Sequence, residues 1–279
     1  QKQINLFFKK LNMKKKSLGV KKKIHKSFLY HLKNSRVNKV YGGFKNHLDK
    51  YIYNKNIIGV AISGGPDSLA LAFLTKCYLL SNNLRSKFFI VDHGLRKESS
   101  KETKTVKLIL KKFDINCKIL KWKGNKPFSN IQSIARNERY KLLKHACKKI
   151  NIKHLLVGHH IDDLYENFFI RLLRGSGLRG LSSFGEVIKD EDNFFILRPL
   201  IKFKKKELIY ISKLVFNFFV SDPSNENLYF KRSRVRKFIF DLNKEGFNIN
   251  FVECINNTKI EVRYYWCEWY AWEYPLSIV

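Results

Sequence analysis

The sequence predicts an α/β fold, with a doubly wound, mostly parallel five-stranded sheet and a small helical C-terminal appendage. Three observations favour this fold class. Short apolar segments of strand length alternate with longer segments that have helical spacing. The first apolar segment ends in Ser and Gly residues that lead into a helix. Polar clusters follow three of the apolar segments, at the edge where the carboxyl ends of parallel strands bind ligands.

The individual elements follow in chain order. Residues Ile57–Ile62 form a continuous apolar run, which is typical of a strand that is buried on both faces. Four more strands are predicted, at Lys87–Val91, Cys117–Trp122, His154–Gly158 and Phe194–Arg198. Helices are predicted from Ser68 onward, at Ser99–Phe113, at Ile131–Ile150 and at about Asp162–Leu173. Strands that alternate with helices in this way form a parallel sheet with right-handed crossovers.

The charge of the chain indicates a polyanionic partner. Lys and Arg number 55 against 23 Asp and Glu, a formal net charge of +32. Such a surface favours nucleic acid first and an anionic membrane second, although an AT-rich genome also enriches lysine. The first 48 residues contain fourteen Lys or Arg and no Asp or Glu. We therefore expect a basic and flexible N-terminal arm at 1–50, an α/β domain at 51–215 and a short C-terminal region at 216–279.

Composition also disfavours several classes of protein. No apolar run approaches the roughly 20 residues that span a bilayer. The cysteines include no C-x-x-C pair, which argues against a zinc ribbon, a persulfide relay and a disulfide framework. The five cysteines are Cys77, Cys117, Cys147, Cys254 and Cys267.

The loop after the first strand predicts a phosphate site. Its residues are Ser63, Gly64, Gly65, Pro66, Asp67 and Ser68. Paired glycines allow a tight turn and a close approach to a ligand, and the N-terminus of the following helix favours an anion. The loop lacks the G-K-[ST] of kinase-type phosphate loops. The alternative is an ordinary Gly-Gly-Pro turn, which the strand before it and the helix after it disfavour.

Two further polar clusters contain candidate ligands. Asp92 and His93 end the second strand, where they would line a nucleotide pocket. Asp163 and Glu166 lie three residues apart near a helix start, so both carboxylates can face one site. They would hold Mg²⁺ beside phosphates or accept an ammonium group, and the alternative is ordinary acids at a helix N-terminus. His159 and His160 lack a third ligand at zinc-binding spacing.

The phosphate loop and several later blocks resemble a known family. Ser-Gly-Gly-Pro-Asp-Ser is similar to the signature of the N-type ATP pyrophosphatases, which have an adenine nucleotide alpha hydrolase-like fold. Blocks that resemble the tRNA(Ile)-lysidine synthetases occur in the family's order between residues 57 and 237. They are Val91–Arg96, Gln132–Arg136 with Arg139-Tyr140, Gly158–Asp163 with Glu166, Arg174–Gly177 with Gly180-Leu181, Arg198–Leu200 and Asp222–Asn225 with Arg232, Arg234 and Arg236.

The resemblance implies a ligase reaction on RNA. ATP would adenylate the wobble cytidine of a minor tRNA(Ile) with a CAU anticodon, and free lysine would then displace AMP to give lysidine. The implied nucleotide ligands are Ser63–Ser68, Asp92 and His93, with Asp67 and Asp163 as candidate Mg²⁺ ligands. Alternatives are a tRNA thiolase of the same superfamily and a catalytically inactive tRNA-binding relative.

Arginines complete the candidate site. Arg136 and Arg139 share a helix face and would meet ATP phosphates or RNA, unless they form a solvated basic face. Arg174 would stabilise charge at the reacting cytidine or at pyrophosphate, beside the catalytic acids Asp67, Asp163 and Glu166. The alternating residues Arg232, Arg234 and Arg236 read as an RNA-facing stripe or as the exposed side of a strand.

The C-terminal region contains a cluster of aromatic residues. The aromatic residues between Tyr264 and Tyr274 would form a packing element or a stacking surface for bases. Many lysidine synthetases continue into further C-terminal domains, which leaves tRNA selection by this chain an open question. The similarity to alphaproteobacterial members and the AT-rich composition favour a mitochondrial matrix slightly over a bacterial cytoplasm. The sequence leaves the oligomeric state open, a homodimer included.

Overall fold

The computed structural model describes residues 23–52, 57–95, 98–124, 131–181, 184–190, 192–221 and 231–246. Several features considered above lie outside these ranges: the first part of the basic arm, Arg96, the Asp222–Asn225 block, Cys254, Cys267 and the aromatic residues between Tyr264 and Tyr274. The chain divides into two compact units. Unit 1 comprises residues 1–159 and 187–221, and unit 2 comprises residues 160–186 and 222–279. This division differs from the boundaries at 51 and 216 that we expected.

Unit 1 contains a six-stranded sheet. Its strands are β1 (Ile58–Ile62), β2 (Ser86–Asp92), β3 (Cys117–Lys121), β4 (His154–Leu156), β5 (Val187–Lys189) and β6 (Phe195–Leu197), in the order β3-β2-β1-β4-β6-β5. Five of them are parallel, with Val60 of β1 opposite Phe88 of β2 and Leu156 of β4. The five predicted strands are therefore confirmed. The sequence did not predict β5, which pairs antiparallel with β6.

Helices lie on both faces of this sheet. In unit 1 they are α1 (residues 23–31), α2 (Ser35–Tyr51), α3 (Pro66–Asn82), α4 (Ser99–Lys112), α5 (Ile131–Lys148) and α8 (Lys205–Phe216). Side chains of α1 to α4 and of α8 form one apolar core with the sheet. Leu143, Ala146 and Cys147 of α5 form the other, with Phe89 and Leu155 of the strands. Coverage of both faces confirms the doubly wound architecture.

The described part of the basic arm belongs to the core. Phe28 of α1 and Phe44 of α2 are 1% and 0% exposed, and both lie in the larger apolar core. Val37, Val40 and Leu48 are buried with them, at the spacing of one helical face. We expected a flexible arm at 1–50, but residues 23–50 are an integral part of the α/β fold.

Unit 2 is helical over its described residues. It contains α6 (Ile161–Leu172), the short α7 (Leu178–Leu181) and α9 (Lys231–Lys244). Helices α6 and α9 pack together through Phe169 and Val235, which are 8% and 6% exposed. No helix in the described residues is long and apolar enough to cross a membrane. The sequence predicts a small helical appendage at the C-terminus, and α9 of unit 2 corresponds to it. Unit 2 also contains α6 and α7, which come from the middle of the chain.

Candidate active site

The phosphate loop lies where the direction of strand order changes. Strand β1 has β2 on one side and β4 on the other, and the chain proceeds outward from β1 in both directions. In doubly wound sheets, the crevice at such a switch point is the usual ligand site. Ser63–Ser68 follows β1 directly, and Gly158 comes shortly after β4. The architecture therefore puts the predicted loop at the expected ligand-binding edge.

Two glycines in this region cannot be replaced without displacement of their neighbours. Gly64 has φ +90°, and a Cβ there would lie 2.6 Å from Cγ2 of Val106. A Cβ on Gly158 would lie 3.1 Å from the carbonyl of Asp67 and from the backbone nitrogen of Ser68. Gly158 thus allows the chain after β4 to approach the N-terminus of α3 closely.

The Ser68 hydroxyl holds the loop in its turn. It accepts hydrogen bonds from the backbone nitrogens of Ser63 and Gly64, both at 3.1 Å, and donates to the Gly65 carbonyl at 2.9 Å. Two amides of the loop are therefore engaged within the loop itself. The N–H groups that can bind an anion are therefore those in the first turn of α3. Pro66 begins this helix, and the first N–H groups of a helix have no acceptor within it.

Asp92 organises the connection between β2 and α4. Its carboxylate is 6% exposed and accepts from the Ser99 and Ser100 hydroxyls at 2.5 and 2.6 Å. The Gly94 amide donates to it at 3.1 Å. Burial alone would raise the pKa of Asp92, but the three donors together with the nearby Lys121 charge lower it. The predicted nucleotide ligand is thus an ionised anchor for its own loop.

His93 is a neutral imidazole beside an arginine. Its Nε2 accepts a hydrogen bond from Nε of Arg139 at 3.1 Å, and its ring contacts Trp122 edge-on. Burial lowers the pKa of His93 to about 4, and the Arg139 charge acts in the same direction. Arg139 and His93 are therefore brought together, with a cationic guanidinium and an uncharged ring near the carboxyl edge.

A second arginine pair surrounds His159. Arg136 Nη2 lies 3.3 Å from His159 Nε2, and Arg198 Nε lies 3.2 Å from His159 Nδ1. Arg198 is 2% exposed. We expected a phosphate or RNA role for Arg136 but assigned none to Arg198 or His159. Arg198 directly follows β6 and His159 comes shortly after β4, and a position after a strand is the same signal that identified the other clusters.

Asp163 of unit 2 caps its own helix. Its Oδ2 accepts a hydrogen bond from the backbone nitrogen of His160, the residue before α6, at 3.1 Å. This is the arrangement of an ordinary N-terminal helix acid, which was one of the two interpretations of the sequence. The side chain remains 16% exposed. A cap and a ligand role are compatible, because a carboxylate accepts several hydrogen bonds.

Glu166 is buried against an arginine. It is 2% exposed and accepts from Nε of Arg236, while Arg236 Nη2 lies 3.3 Å from its second oxygen. Burial raises the pKa of Glu166 above its ordinary value, and Arg236 offsets part of that increase. Both carboxylate oxygens therefore have a guanidinium partner within unit 2.

The remaining arginines do not form the group that we expected. Arg232, Arg234 and Arg236 belong to helix α9, so the strand interpretation is wrong. Residues two apart on a helix point in directions about 200° apart, so Arg234 leaves the face of the other two. Arg174 follows the carboxyl end of α6, about 16 Å along the axis from Asp163 at the other end. Helix geometry thus gives no support for a joint role of Arg174 and Asp163.

The candidate Mg²⁺ ligands are the carboxylates of Asp67 and Asp163. Among the described residues, no group of three or more His, Cys, Asp and Glu side chains could hold a metal ion. Mg²⁺ commonly binds through one or two carboxylates, with substrate phosphates and water completing its shell. Asp67, which belongs to both the phosphate loop and the first turn of α3, fits that requirement as a single ligand.

Comparisons with known proteins agree with this architecture. The chain is 38% identical over 191 residues to a tRNA(Ile)-lysidine synthase of Rhodopseudomonas palustris, covering 68% of this chain and 55% of that protein. It is 40% identical over 179 residues to a tRNA(Ile)-lysidine synthase of Orientia tsutsugamushi, covering 64% of this chain and 40% of that protein. The chain therefore spans about half the length of the curated relatives that it matches.

The solved structures support the fold. The U34-tRNA thiolase NcsA of Methanococcus maripaludis, determined with its [4Fe-4S] cluster, superposes with a TM-score of 0.64 at 20% identity. The match covers 75% of this chain and 74% of the thiolase. The family model of the PP-loop domain matches residues 33–243. This match takes in well over half of the sequence, and the chain belongs to the PP-loop domain family.

Proposed function

We propose that this protein is a tRNA(Ile)-lysidine synthetase that uses ATP and free L-lysine. The observation that carries the proposal is the phosphate loop at the sheet's switch point, without a kinase-type lysine. Similarity to lysidine synthases at 36–40% identity in three relatives supports the substrate assignment. The RNA substrate would be a tRNA(Ile) with a CAU anticodon.

The reaction would proceed in two steps. The C2 carbonyl oxygen of the wobble cytidine attacks the α-phosphorus of ATP, and pyrophosphate leaves. The neutral ε-amine of lysine then attacks C2, AMP leaves with the oxygen, and the amine loses a proton. The first turn of α3 and the guanidinium groups of Arg136 and Arg139 would hold the triphosphate.

Asp163 is the better candidate for the lysine substrate. Both oxygens of Glu166 already contact Arg236, whereas Asp163 keeps a partly exposed carboxylate. We infer that Asp163 binds the lysine ammonium and accepts its proton, while Glu166 maintains the fold of unit 2. Asp67 would hold Mg²⁺, which supplies charge neutralisation at the phosphates when it is bound.

Incorporation of labelled lysine tests the proposal directly. The protein is incubated with a tRNA(Ile) CAU transcript, ATP and radiolabelled lysine, with a known lysidine synthetase as positive control. We expect one lysine per tRNA, together with equal amounts of AMP and pyrophosphate. A transcript whose wobble base is uridine should accept none. If the control enzyme labels the tRNA and this protein does not, the proposal is wrong.

A matched pair of variants tests the role of Asp163. Asp163→Asn keeps an oxygen that can cap α6 but removes the charge, and Asp162→Asn removes the neighbouring, more exposed charge. We expect Asp163→Asn to reduce kcat/KM for lysine about tenfold or more, with tRNA-dependent pyrophosphate release retained. Equal effects of the two variants would refute a specific lysine contact.

The alternative functions make different predictions. A thiolase needs reactive sulfur, but burial raises the pKa of Cys77, Cys117 and Cys147, the cysteines within the described residues, to about 12, which disfavours their nucleophilic thiolate forms. A catalytically inactive tRNA-binding protein would release no pyrophosphate in the presence of tRNA.

The curated relatives are bacterial proteins, so they do not support the mitochondrial matrix. We therefore propose a bacterial cytoplasm as the compartment.

A further inference from the structure

Helix α4 exposes a row of lysines on its outer side. Its buried side chains, Thr103, Val106 and Leu110, face the sheet and the larger apolar core. At about 100° per residue, the exposed lysines fall within roughly 140° of the helix circumference on the other side. They are Lys101, Lys104, Lys107, Lys111 and Lys112. Glu102, in the first turn, is the single acidic residue of the helix.

These lysines differ from the lysines of α5 in their ion pairs. On α5, Lys141 binds Glu138 at 2.7 Å, and Lys144 and Lys148 bind Asp192 at 2.9 and 2.6 Å. Among the residues that the structure describes, no α4 lysine has an ion pair with an acid. Within the described part of unit 1, the α4 lysines are therefore not paired with acids, whereas Lys141, Lys144 and Lys148 of α5 are.

The row begins at the ligand-binding edge of the sheet. Ser99 and Ser100, the first residues of α4, donate to Asp92 at the carboxyl end of β2. Lys101 lies in the same turn, and Lys112 is about 16 Å further along the axis, away from that edge. A chain of phosphates that enters the site along this helix would meet one ammonium group roughly every turn.

We propose that the outer face of α4 binds the sugar-phosphate backbone of the RNA substrate. The proposal rests on the proposed function, because that function supplies the RNA. Lysine ammonium groups bind phosphates as point charges, without regard to base sequence, and they release condensed counterions from the nucleic acid. The face therefore contributes affinity and orientation, whereas recognition of the anticodon belongs elsewhere.

The salt dependence of tRNA binding tests this surface. Two triple variants of equal charge are compared with the wild-type protein by fluorescence anisotropy, without ATP or lysine. The α4 variant carries Lys104→Gln, Lys107→Gln and Lys111→Gln. The α5 variant carries Lys141→Gln, Lys144→Gln and Lys148→Gln. The ligands are the CAU transcript of tRNA(Ile) and an unrelated tRNA.

In the α4 variant, the magnitude of the slope of log K against log salt concentration should fall by about 2 to 3. Each of the three lost phosphate contacts accounts for about 0.7–0.9 of this change. We expect this loss with both tRNAs and a change below about 1 in the α5 variant. Equal slopes in the two variants would overturn the proposal, because net charge alone would then explain binding. Loss of binding to anionic phospholipid vesicles, with tRNA binding intact, would also overturn it.

The readout is independent of catalysis. If lysine incorporation fails but the slope falls only in the α4 variant, the proposed reaction is wrong and the RNA surface stands. If incorporation succeeds and the two slopes are equal, the reaction stands and the surface is refuted. Matching melting temperatures of both variants and the wild-type protein exclude a folding defect as the cause.

Discussion

Replacing Arg236 with alanine distinguishes a structural arginine from an RNA contact. The change leaves the carboxylate of Glu166, which is 2% exposed, without its guanidinium partner. Loss of one member of a buried ion pair costs about 3–5 kcal/mol, since the remaining charge is desolvated and uncompensated. Because Arg236 is itself 31% exposed, we expect the lower limit, about 3 kcal/mol at pH 7.

This loss should be visible in thermal unfolding. For domains of 150–250 residues, 1 kcal/mol corresponds to about 2–4 °C, so Arg236→Ala should lower Tm by about 6–12 °C. The control is Arg234→Ala on the exposed side of the same helix, for which we expect less than about 0.5 kcal/mol. Circular dichroism of both variants and the wild-type protein measures the difference.

The pH dependence gives the second test of the same reasoning. Burial raises the pKa of Glu166, so the folded state disfavours its ionised form. Its unfavourable contribution is fully present above the raised pKa, decreases as the pH falls below that pKa, and disappears below the ordinary pKa of the unfolded chain. Removal of Arg236 raises this pKa further, so the deficit of the variant should shrink as the pH falls from 7 toward the ordinary pKa of a glutamate, about 4.3. A normal Tm at pH 7 combined with weaker tRNA binding would refute the structural role and favour the RNA contact.

Three further substitutions test the nucleotide region. Ser68→Ala removes the acceptor of two loop amides, and we expect on the order of tenfold weaker ATP binding by calorimetry; unchanged affinity would contradict this. Gly158→Ala puts a methyl group 3.1 Å from the Asp67 carbonyl, so ATP binding should also weaken, with the circular dichroism spectrum preserved. Arg139→Gln removes a nearby positive charge, so the pKa of His93 should rise from about 4 in an NMR titration. A fall in that pKa would show that the Arg139 charge does not act on His93.

The parallel sheet could be predicted because its strands have a strong local signal. β1 and its neighbours are continuous apolar runs, and each is followed by polar residues at one edge of the sheet. Strand β5 has no comparable signal. It is three residues long, and two of them are exposed. Its pairing with β6 depends on a hairpin within unit 1 rather than on an apolar pattern of its own.

The N-terminal helices show how charge can hide a periodic pattern. Val37, Val40, Phe44 and Leu48 repeat at intervals of three and four, which is the spacing of a buried helix face. The lysines between them, Lys39 and Lys45, do not belong to this buried face. A net charge describes the surface of a helix and does not report whether its other face is buried.

The local sequence pattern could not predict the secondary structure or the partners of the α9 arginines. Alternation over five residues fits a strand, and a helix of fourteen residues contains the same five. The partner that gives Arg236 its role is Glu166, 70 residues earlier in the chain. A buried carboxylate needs a cation near it, so the acid at 166 required an arginine or lysine from somewhere in the fold. The sequence contains 55 Lys and Arg residues, and the packing of α6 against α9 determines which of them contacts Glu166. That packing brings both oxygens of Glu166 into contact with Arg236.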